Sequence, residues 1–278
     1  MSRSLVLVAC LLASAAVLAQ REFRELLPLE GGRVGFRELP EDYDVPAEFV
    51  VGRLMFPHTR SRNVLGAGRG GDWRQGGTAW AVDYPAGDRT FAALLERLST
   101  IDVRSVEQPI NLEDDDDVFH WPFMISGLVG AWELTDEQAA KLREYLLRGG
   151  FLLCDSFYGT NEWEGFVASM EKVFPDRPIV DLPVSHPIFN IVYDLTELPQ
   201  IPTYQHLDYD GRGGFRNDGA VPYWRAILDD DDRVMVMITF NNDVADGWQR
   251  ADEPSYPQDK STLALRLGVN FAVYAMTH

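Results

Sequence analysis

The residues best suited to chemistry come directly after apolar, strand-like runs of the chain. Carboxylate, amide, hydroxyl and guanidinium groups, together with one indole, occur at four such places. Because ligands of open α/β sheets bind beyond the carboxyl ends of the strands, we expect these groups to line one site. Planar hydrogen-bonding groups beside an aromatic ring suit a sugar or another polyol. The predicted ligand-binding residues are Arg60, Ser126, Gly127, Ser156, Asn241, Asn242, Asp246 and Trp248.

Two carboxylates and one histidine are the candidates for catalysis. Asp155 or Asp243 could act as the general base of a hydrolase, with His186 as an assistant. His186 could instead be a hydrogen-bonding loop residue, because no second ligand stands at zinc-site spacing from it. The stretch 241–246 could likewise be only a capped turn into the last helix. An enzyme and a binding module therefore both remain open.

Other motifs that resemble reactive sites favour structural roles. Cys154 lies inside an apolar run, which predicts a small core residue rather than an exposed nucleophile. Gly66, Gly68 and Gly71 match the spacing of a dinucleotide loop, but no helix begins there to face a pyrophosphate. The acidic run at 229–232 is most simply a solvated turn, with weak calcium binding as the alternative. The sequence predicts neither a metal site nor a cofactor.

Alternating strands and helices must position these groups. Apolar runs at 48–56, 123–125 and 151–154 predict buried strands. Thr135 and Gln138 have the spacing of a capping box that begins a helix, and a double glycine ends this helix before the third run. Strand, helix and strand in this order predict a parallel βαβ unit.

Further helices and a hairpin complete the expected architecture. Apolar residues at helical spacing predict helices over about 88–98, 162–174 and 261–276. The runs 223–228 and 234–240 flank an acidic turn, which predicts a β-hairpin. Together these elements indicate an α/β fold, a three-layer sandwich with a mostly parallel sheet and a C-terminal β-hairpin addition.

The N-terminal residues have the pattern of a secretion signal. Arg3 precedes an apolar run from Leu5 to Ala19, which is shorter than the roughly 20 residues that span a bilayer. We expect cleavage after Ala19, a linker or extended arm over 20–46 and a single α/β domain over 47–278. An uncleaved anchor is the alternative. The expected location is periplasmic or extracellular, with no membrane span after cleavage.

The acidic composition narrows the range of partners. The chain carries a formal net charge of −18 at pH 7, which repels nucleic-acid phosphates and anionic lipid surfaces. Cys154 is the only cysteine outside the expected signal, so no internal disulfide is expected. A small polar ligand or another protein remains as the expected partner, and nucleic acid is excluded.

Several segments together resemble a family that has no assigned activity. They are LTDEQAAKLREYLLRGGFLLCDS at 134–156, the segment 174–183, HPIF at 186–189, NNDVADGW at 241–248 and GVNFAVYAMTH at 268–278. Over about residues 47–278 the chain resembles domain of unknown function family 4159. The resemblance implies a flavodoxin-like sheet similar to the class I glutamine amidotransferase-like superfamily, and no established activity.

The chain departs from that wider superfamily at the catalytic turn. A class I amidotransferase carries its cysteine in a Gly-x-Cys-x-Gly elbow, whereas Cys154 has Leu153 and Asp155 beside it. Trehalose-utilisation-type proteins usually have a histidine just after this strand, where the chain has Asp155 and Ser156. Amidotransferase chemistry is therefore not expected. We expect an exported binding module, with a hydrolase and a non-catalytic scaffold of a cell-surface assembly as the alternatives.

Overall fold

Seven strands form one mixed sheet in the computed structural model of the chain. The strands are β1 (Gly52–Met55), β2 (Gln108–Asn111), β3 (Phe123–Ser126), β4 (Phe151–Cys154), β5 (Val180–Asp181), β6 (Tyr223–Leu228) and β7 (Val234–Phe240). Their spatial order is β2-β1-β3-β4-β7-β6-β5. The first five in this order are parallel, and β6 and β5 are antiparallel additions. The order 2-1-3-4 followed by one more parallel strand is that of a flavodoxin-like sheet, which confirms the predicted fold class.

The structure describes four stretches of the chain. They are residues 23–29, 39–58, 71–208 and 213–278. The predictions that lie outside these stretches concern the secretion signal at 1–19, the candidate ligand residue Arg60 and the glycines Gly66 and Gly68.

Helices cover both faces of the sheet. They are α1 (Ala86–Leu98), α2 (Asp136–Leu147), α3 (Gly159–Val173), α4 (Val244–Gln249) and α5 (Gln258–Thr277). Side chains of β3 alternate between the two cores: Met124 packs towards α2 and α3, whereas Phe123 and Ile125 pack towards α1, α4 and α5. The predicted three-layer sandwich is therefore confirmed. Of the described helices, none combines the length and the apolar character needed to cross a membrane.

The βαβ unit that runs from β3 through α2 to β4 follows its local sequence signals. The hydroxyl of Thr135 accepts the backbone N–H of Gln138 at 3.2 Å, and the Gln138 side chain accepts the N–H of Thr135 at 3.0 Å. This reciprocal pair is the predicted capping box. Gly149 has a φ of 106°, a left-handed conformation that glycine adopts at little cost as it ends the helix. β4 begins directly afterwards at Phe151, and all of its residues are buried.

The predicted hairpin is also present, and Asp229 organises its turn. The carboxylate of Asp229 accepts the backbone N–H groups of Asp231 and Arg233, each at 2.9 Å. The Arg233 side chain donates back to the same carboxylate at 2.8 Å. β6 and β7 pair antiparallel beyond this turn. The acidic residues thus form a turn through their own side chains, as Asp commonly does.

The edge strand β2 was not predicted. Its sequence, Gln-Pro-Ile-Asn, has neither an apolar run nor the alternation that signals a strand. β2 pairs only with β1, so Pro109 needs no ladder bond on the open side. All four residues are nevertheless buried. Their burial depends on neighbouring segments rather than on their own hydropathy.

The N-terminal segment 23–29 lies against the segment 73–81. Leu27 donates its N–H to the carbonyl of Gln75 at 3.1 Å and accepts the N–H of Gly77 at 2.6 Å. Leu29 donates its N–H to the carbonyl of Ala81 at 3.0 Å. Part of the stretch expected as a linker or arm is therefore bonded to the α/β fold.

Candidate functional site

The carboxyl ends of β1, β3, β4 and β7 meet at one edge of the sheet because these strands are parallel. The chain leaves β1 towards β2 on one side and returns to β3 on the other. Such a reversal is the topological switch point at which doubly wound sheets bind their ligands. Five buried residues at this edge are here called the switch-point cluster: Arg53, Asp155, Ser156, Tyr158 and Asp243.

Arg53 brings a positive charge into the sheet next to the switch point. It lies on β1, is fully buried and forms a two-pronged ion pair with Asp88 of α1, at 3.1 Å from Nε and 2.5 Å from Nη2. Burial by itself lowers the pKa of Arg53, but Asp88, Asp83 and Asp155 outweigh burial and raise this pKa above its ordinary value. The remaining nitrogen, Nη1, has no hydrogen-bond partner among the described residues. The guanidinium therefore stays charged and retains one unused donor.

Asp155 extends the strand β4 and holds the start of α4. Its Oδ1 accepts the hydroxyl of Thr239 at 2.5 Å and the N–H of Val244 at 3.1 Å, and its Oδ2 accepts the N–H of Ala245 at 2.9 Å. Burial raises the pKa of Asp155 to about 6, against the lowering effect of these donors. The side chain is fully buried. Its first role is thus to cap the N-terminus of a short helix.

Asp243 and Ser156 are joined across the edge of the sheet. The Ser156 hydroxyl donates to Oδ2 of Asp243 at 2.9 Å, and Oδ1 of Asp243 accepts the N–H of Asp246 as the N-cap of α4. Burial, followed by the charges of Asp246, Asp83 and Asp155, raises the pKa of Asp243 well above its usual range. Asp155 and Asp243, the two candidate bases, are therefore brought together, and each already holds a backbone N–H.

Four connections at this edge carry a non-glycine residue in the left-handed region. The φ angles are 57° for Asp83, 50° for Leu128, 59° for Ser156 and 62° for Asn241. Leu128 and Ser156 lie two residues after the ends of β3 and β4, and Asn241 directly follows β7. Such conformations cost about 1–3 kcal/mol each and cluster at functional sites. The backbone strain is thus concentrated beside the switch-point cluster.

The two asparagines after β7 are saturated by backbone contacts. Asn241 accepts the N–H of Gly159 at 2.9 Å and donates to the carbonyl of Val221 at 2.6 Å. Asn242 accepts the N–H of Ile201 at 3.0 Å and donates to the carbonyl of Phe240 at 3.2 Å. These amides join separate loops at the edge of the sheet. The structure therefore places both at the predicted edge, but with their hydrogen-bonding groups occupied.

Asp246 and Trp248 also have internal partners. The Asp246 carboxylate accepts the N–H of Tyr204 at 2.7 Å and the hydroxyl of Thr203 at 3.2 Å. The Trp248 indole donates to the carbonyl of Ala264 at 2.9 Å and stacks on Phe91 with ring centroids 4.2 Å apart. Trp248 is fully buried, so it forms part of the core and does not provide the exposed aromatic surface that the sequence analysis expected.

His186 lies at the other end of the sheet from the two candidate bases. Its ring is 6.5 Å from that of Tyr274, whose hydroxyl accepts the N–H of Val234 at the start of β7. The switch-point cluster lies beyond the end of that strand, roughly 20 Å away at about 3.3 Å per residue. Nδ1 of His186 accepts the N–H of Ile188 at 3.2 Å. The structure thus gives His186 a capping contact and does not bring it to Asp155 and Asp243.

Ser126 and Gly127 lie where the sequence analysis expected them, beside the switch point. Ser126 ends β3, is fully buried, and its hydroxyl has no partner among the described residues. A Cβ on Gly127 would lie 3.7 Å from Nη1 of Arg53 and 3.8 Å from Cβ of Ser156, but only 2.4 Å from Val82. Glycine is therefore required for the close approach of these segments.

Tyr158 and the ion pair beneath it were not predicted from the sequence. Tyr158 is fully buried, and its hydroxyl has no partner in the described part of the chain. The N–H of Tyr158 donates to Glu162 at 2.8 Å, and Arg216 donates to the same carboxylate at 3.1 Å. Arg216 also donates to the carbonyl of Ser156 at 3.1 Å. No sequence signal marks these contacts, whereas the charge of Arg53 inside an apolar run could have been noticed.

The predicted structural role of Cys154 agrees with the geometry. Cys154 is fully buried, and burial raises the pKa of its thiol well above the ordinary value, which disfavours the nucleophilic thiolate. Within the described ranges, no group of histidine, cysteine and carboxylate side chains has the arrangement of a metal site.

The fold and the position of the cluster define an α/β protein of the doubly wound class with its polar residues gathered at the switch point. A family model, described as domain of unknown function DUF4159, matches residues 72–276. The chain therefore belongs to the DUF4159 family. A comparison with curated proteins finds no match.

Proposed function

We propose that the chain binds a small polar ligand at the switch point, between the carboxyl ends of β1 and β3. The observation that carries this proposal is the Nη1 atom of Arg53, a charged donor that is fully buried and without a partner among the described residues. A buried donor left unsatisfied costs about 1–3 kcal/mol, and more when it is charged. A ligand that supplies an acceptor would recover this energy.

The surrounding groups narrow the chemistry of that ligand. The hydroxyls of Ser126 and Tyr158 are also buried and unpartnered in the described structure, and each can donate or accept. The carboxyl groups of Asp155 and Asp243 favour hydrogen-bond donors. A molecule with several hydroxyl groups, such as a carbohydrate or another polyol, offers both functions on adjacent atoms.

The residues at the site divide into two groups under this proposal. Arg53, Ser126, Ser156 and Tyr158 face the ligand, and Gly127 provides room for the close approach of Arg53 and Ser156. The remaining described candidates hold the loops that surround the site, because their polar groups already have partners. These supporting residues are Asn241, Asn242, Asp246 and Trp248.

A hydrolase remains the alternative, and one observation favours it. Burial raises the pKa of Asp155 to about 6, which is close to the value that suits a general base at neutral pH. In that reaction Ser156 or Asp243, rather than His186, would be the assisting group. We also propose that the chain is exported to the periplasm or the extracellular space. A distant relationship to amidotransferase-like proteins is a further part of this proposal. A non-catalytic scaffold role for a protein partner is the third possibility.

Thermal-shift measurements on the full chain, with a panel of small polyols and amino sugars, test the proposed function. A ligand that binds only the folded state raises the midpoint of unfolding. Tyr158→Phe removes one hydroxyl from the cluster and should weaken binding about tenfold. The matched control is Tyr193→Phe, because Tyr193 is bonded through its backbone to Asn270 of α5, away from the switch point. If no member of the panel shifts the midpoint, the proposal is wrong.

A further inference from the structure

The arginine side chains around the switch-point cluster already form ion pairs with carboxylates. Arg53 pairs with Asp88 through two hydrogen bonds. Arg216 pairs with Glu162 at 3.1 Å. On α4 and the turn after it, Arg250 lies 3.6 Å from Asp246 and 2.8 Å from Glu253. Each described guanidinium near the cluster thus has at least one carboxylate of its own.

Asp155 and Asp243 have no such partner in the described structure. Asp155 accepts one hydroxyl and two backbone N–H groups, and Asp243 accepts one hydroxyl and one backbone N–H. All of these donors are neutral. The two carboxyl groups are 0% and 2% exposed, and the charge of Asp155 disfavours ionisation of Asp243. Neither carboxyl group therefore has an ion-pair partner of its own among the described residues, and a cation placed between them would supply one.

A second observation, independent of the acidic residues, points to a ligand at the same place. The hydroxyl of Tyr158 is fully buried and has no hydrogen-bond partner among the described residues. Burial, and after it the charges of Asp243 and Asp155, raise the pKa of this hydroxyl. The unused hydroxyl thus lies close enough to both carboxyl groups to be affected by their charges. A ligand group placed among these three side chains would contact two carboxyl groups and the phenol oxygen of Tyr158, which can accept a hydrogen bond.

We propose that the ligand of this site carries a primary ammonium group that binds among Asp155, Asp243 and Tyr158. An ammonium has three hydrogen-bond donors and no acceptor, which matches two carboxylates and a phenol oxygen. The unused Nη1 of Arg53 then donates a hydrogen bond to a hydroxyl or carboxylate oxygen of the same molecule. This inference rests on the proposed ligand-binding function and narrows its ligand class to amino sugars and other hydroxylated amines.

Matched ligand pairs on the full chain test the charge preference without any mutation. Glucosamine differs from glucose only in that an ammonium group replaces one hydroxyl. The same single replacement distinguishes 4-amino-1-butanol from 1,4-butanediol. Calorimetric titration at pH 7 should give an affinity at least about tenfold higher for the amine of a pair. Equal affinity within both pairs would overturn the inference while leaving the polar-ligand function intact. No binding by any of the four compounds would overturn both.

Isosteric variants then show which side chains cause the preference for the amine. Asp243→Asn keeps the shape of the side chain and its N-cap role, but it should abolish the advantage of the amine over its neutral partner. Asp155→Asn should also reduce the advantage of the amine. It provides a second measurement of this difference in affinity if the other variant is unstable. The control is Asp176→Asn, since Asp176 pairs with Arg143 at the surface. A preference for amines that persists in both cluster variants would contradict the assignment.

Discussion

Asp155 accepts the backbone N–H of Ala245 at 2.9 Å, although the two residues are 90 positions apart in the chain. This buried carboxylate joins the carboxyl end of β4 to the start of α4. A residue that the sequence marks as a catalytic candidate is therefore also a structural anchor. Tests of its function must therefore separate these two roles.

Removal of the Asp155 carboxylate should destabilise the fold strongly. Asp155→Ala leaves Thr239 and the N–H groups of Val244 and Ala245 without their buried acceptor, so we expect a loss of about 3 kcal/mol in the free energy of unfolding. Urea denaturation measures it. Asp176→Ala, which breaks a surface ion pair with Arg143, should cost about 1 kcal/mol or less. Similar costs for both variants would contradict the anchoring role.

The contribution of Asp155 and Asp243 to the stability of the protein should fall as the pH rises from about 4 to above 6. The folded pKa of Asp155 is about 6 against an ordinary value of 3.8, and that of Asp243 is also raised. The folded state therefore binds these protons more tightly than the unfolded state, so their contribution is fully present below pH 3.8 and is lost as the pH passes the folded values. Urea unfolding at pH 4 to 7 measures the slope.

Other titratable groups make the folded state more stable as the pH rises, so the experiment needs a control variant. The pKa of His186 is lowered, chiefly by burial, and that of Asp176 is lowered to about 2 by its bond to Arg143. Both favour the folded state as the pH rises. The informative quantity is therefore the difference between the unmodified chain and Asp155→Asn, which should lose part of the downward slope. Identical slopes would show that Asp155 does not titrate with a raised pKa.

Trp248 should behave as a core residue rather than as a ligand platform. Trp248→Ala removes a fully buried indole that stacks on Phe91 and donates to Ala264, so we expect a loss of about 3–5 kcal/mol in stability. Trp248→Phe retains a ring and should fold with a smaller loss, and ligand affinity should change by less than about twofold. A phenylalanine variant that folds normally but no longer binds ligand would assign Trp248 to the binding site instead.

The ion pair between Arg216 and Glu162 should hold the segment after residue 213 against the cluster. The two side chains are 8% and 1% exposed, so loss of one partner leaves a buried charge and should cost about 3–5 kcal/mol. Replacement of both by Arg216→Met and Glu162→Gln should cost clearly less than the sum of the single changes. Thermal unfolding of the four proteins gives this double-mutant cycle. Additive costs would mean that the pair makes no coupled contribution.

Elements with strong local signals could be predicted from the sequence. The strand at 151–154 and the two hairpin strands at 223–228 and 234–240 have the predicted bounds. The capping box at Thr135 forms as its spacing indicated. These features depend on interactions between residues close in the chain, so apolar runs, capping residues and turn residues suffice to define them. The parallel order of β3 and β4 followed from the helix between them.

The candidate site could be predicted only in its position. Because the carboxyl ends of parallel strands lie at one edge, Ser126, Asp155 and Asn241 were expected together, and the structure brings them to that edge. Their roles could not be predicted, because their partners lie far along the chain: Asn241 bonds Gly159, 82 positions away. Tyr158 gave no local signal at all.

Local sequence alone therefore determined most of the helices and strands, the parallel βαβ unit and the edge at which polar residues gather, but not the edge strand β2. The tertiary structure alone decided which of those residues retain unused hydrogen-bonding groups, that Trp248 is buried, and that His186 lies at the opposite end of the sheet. The physical reason is that hydrogen-bond satisfaction and desolvation depend on every segment packed around a group. Hydrophobic periodicity and capping, by contrast, act within a few residues.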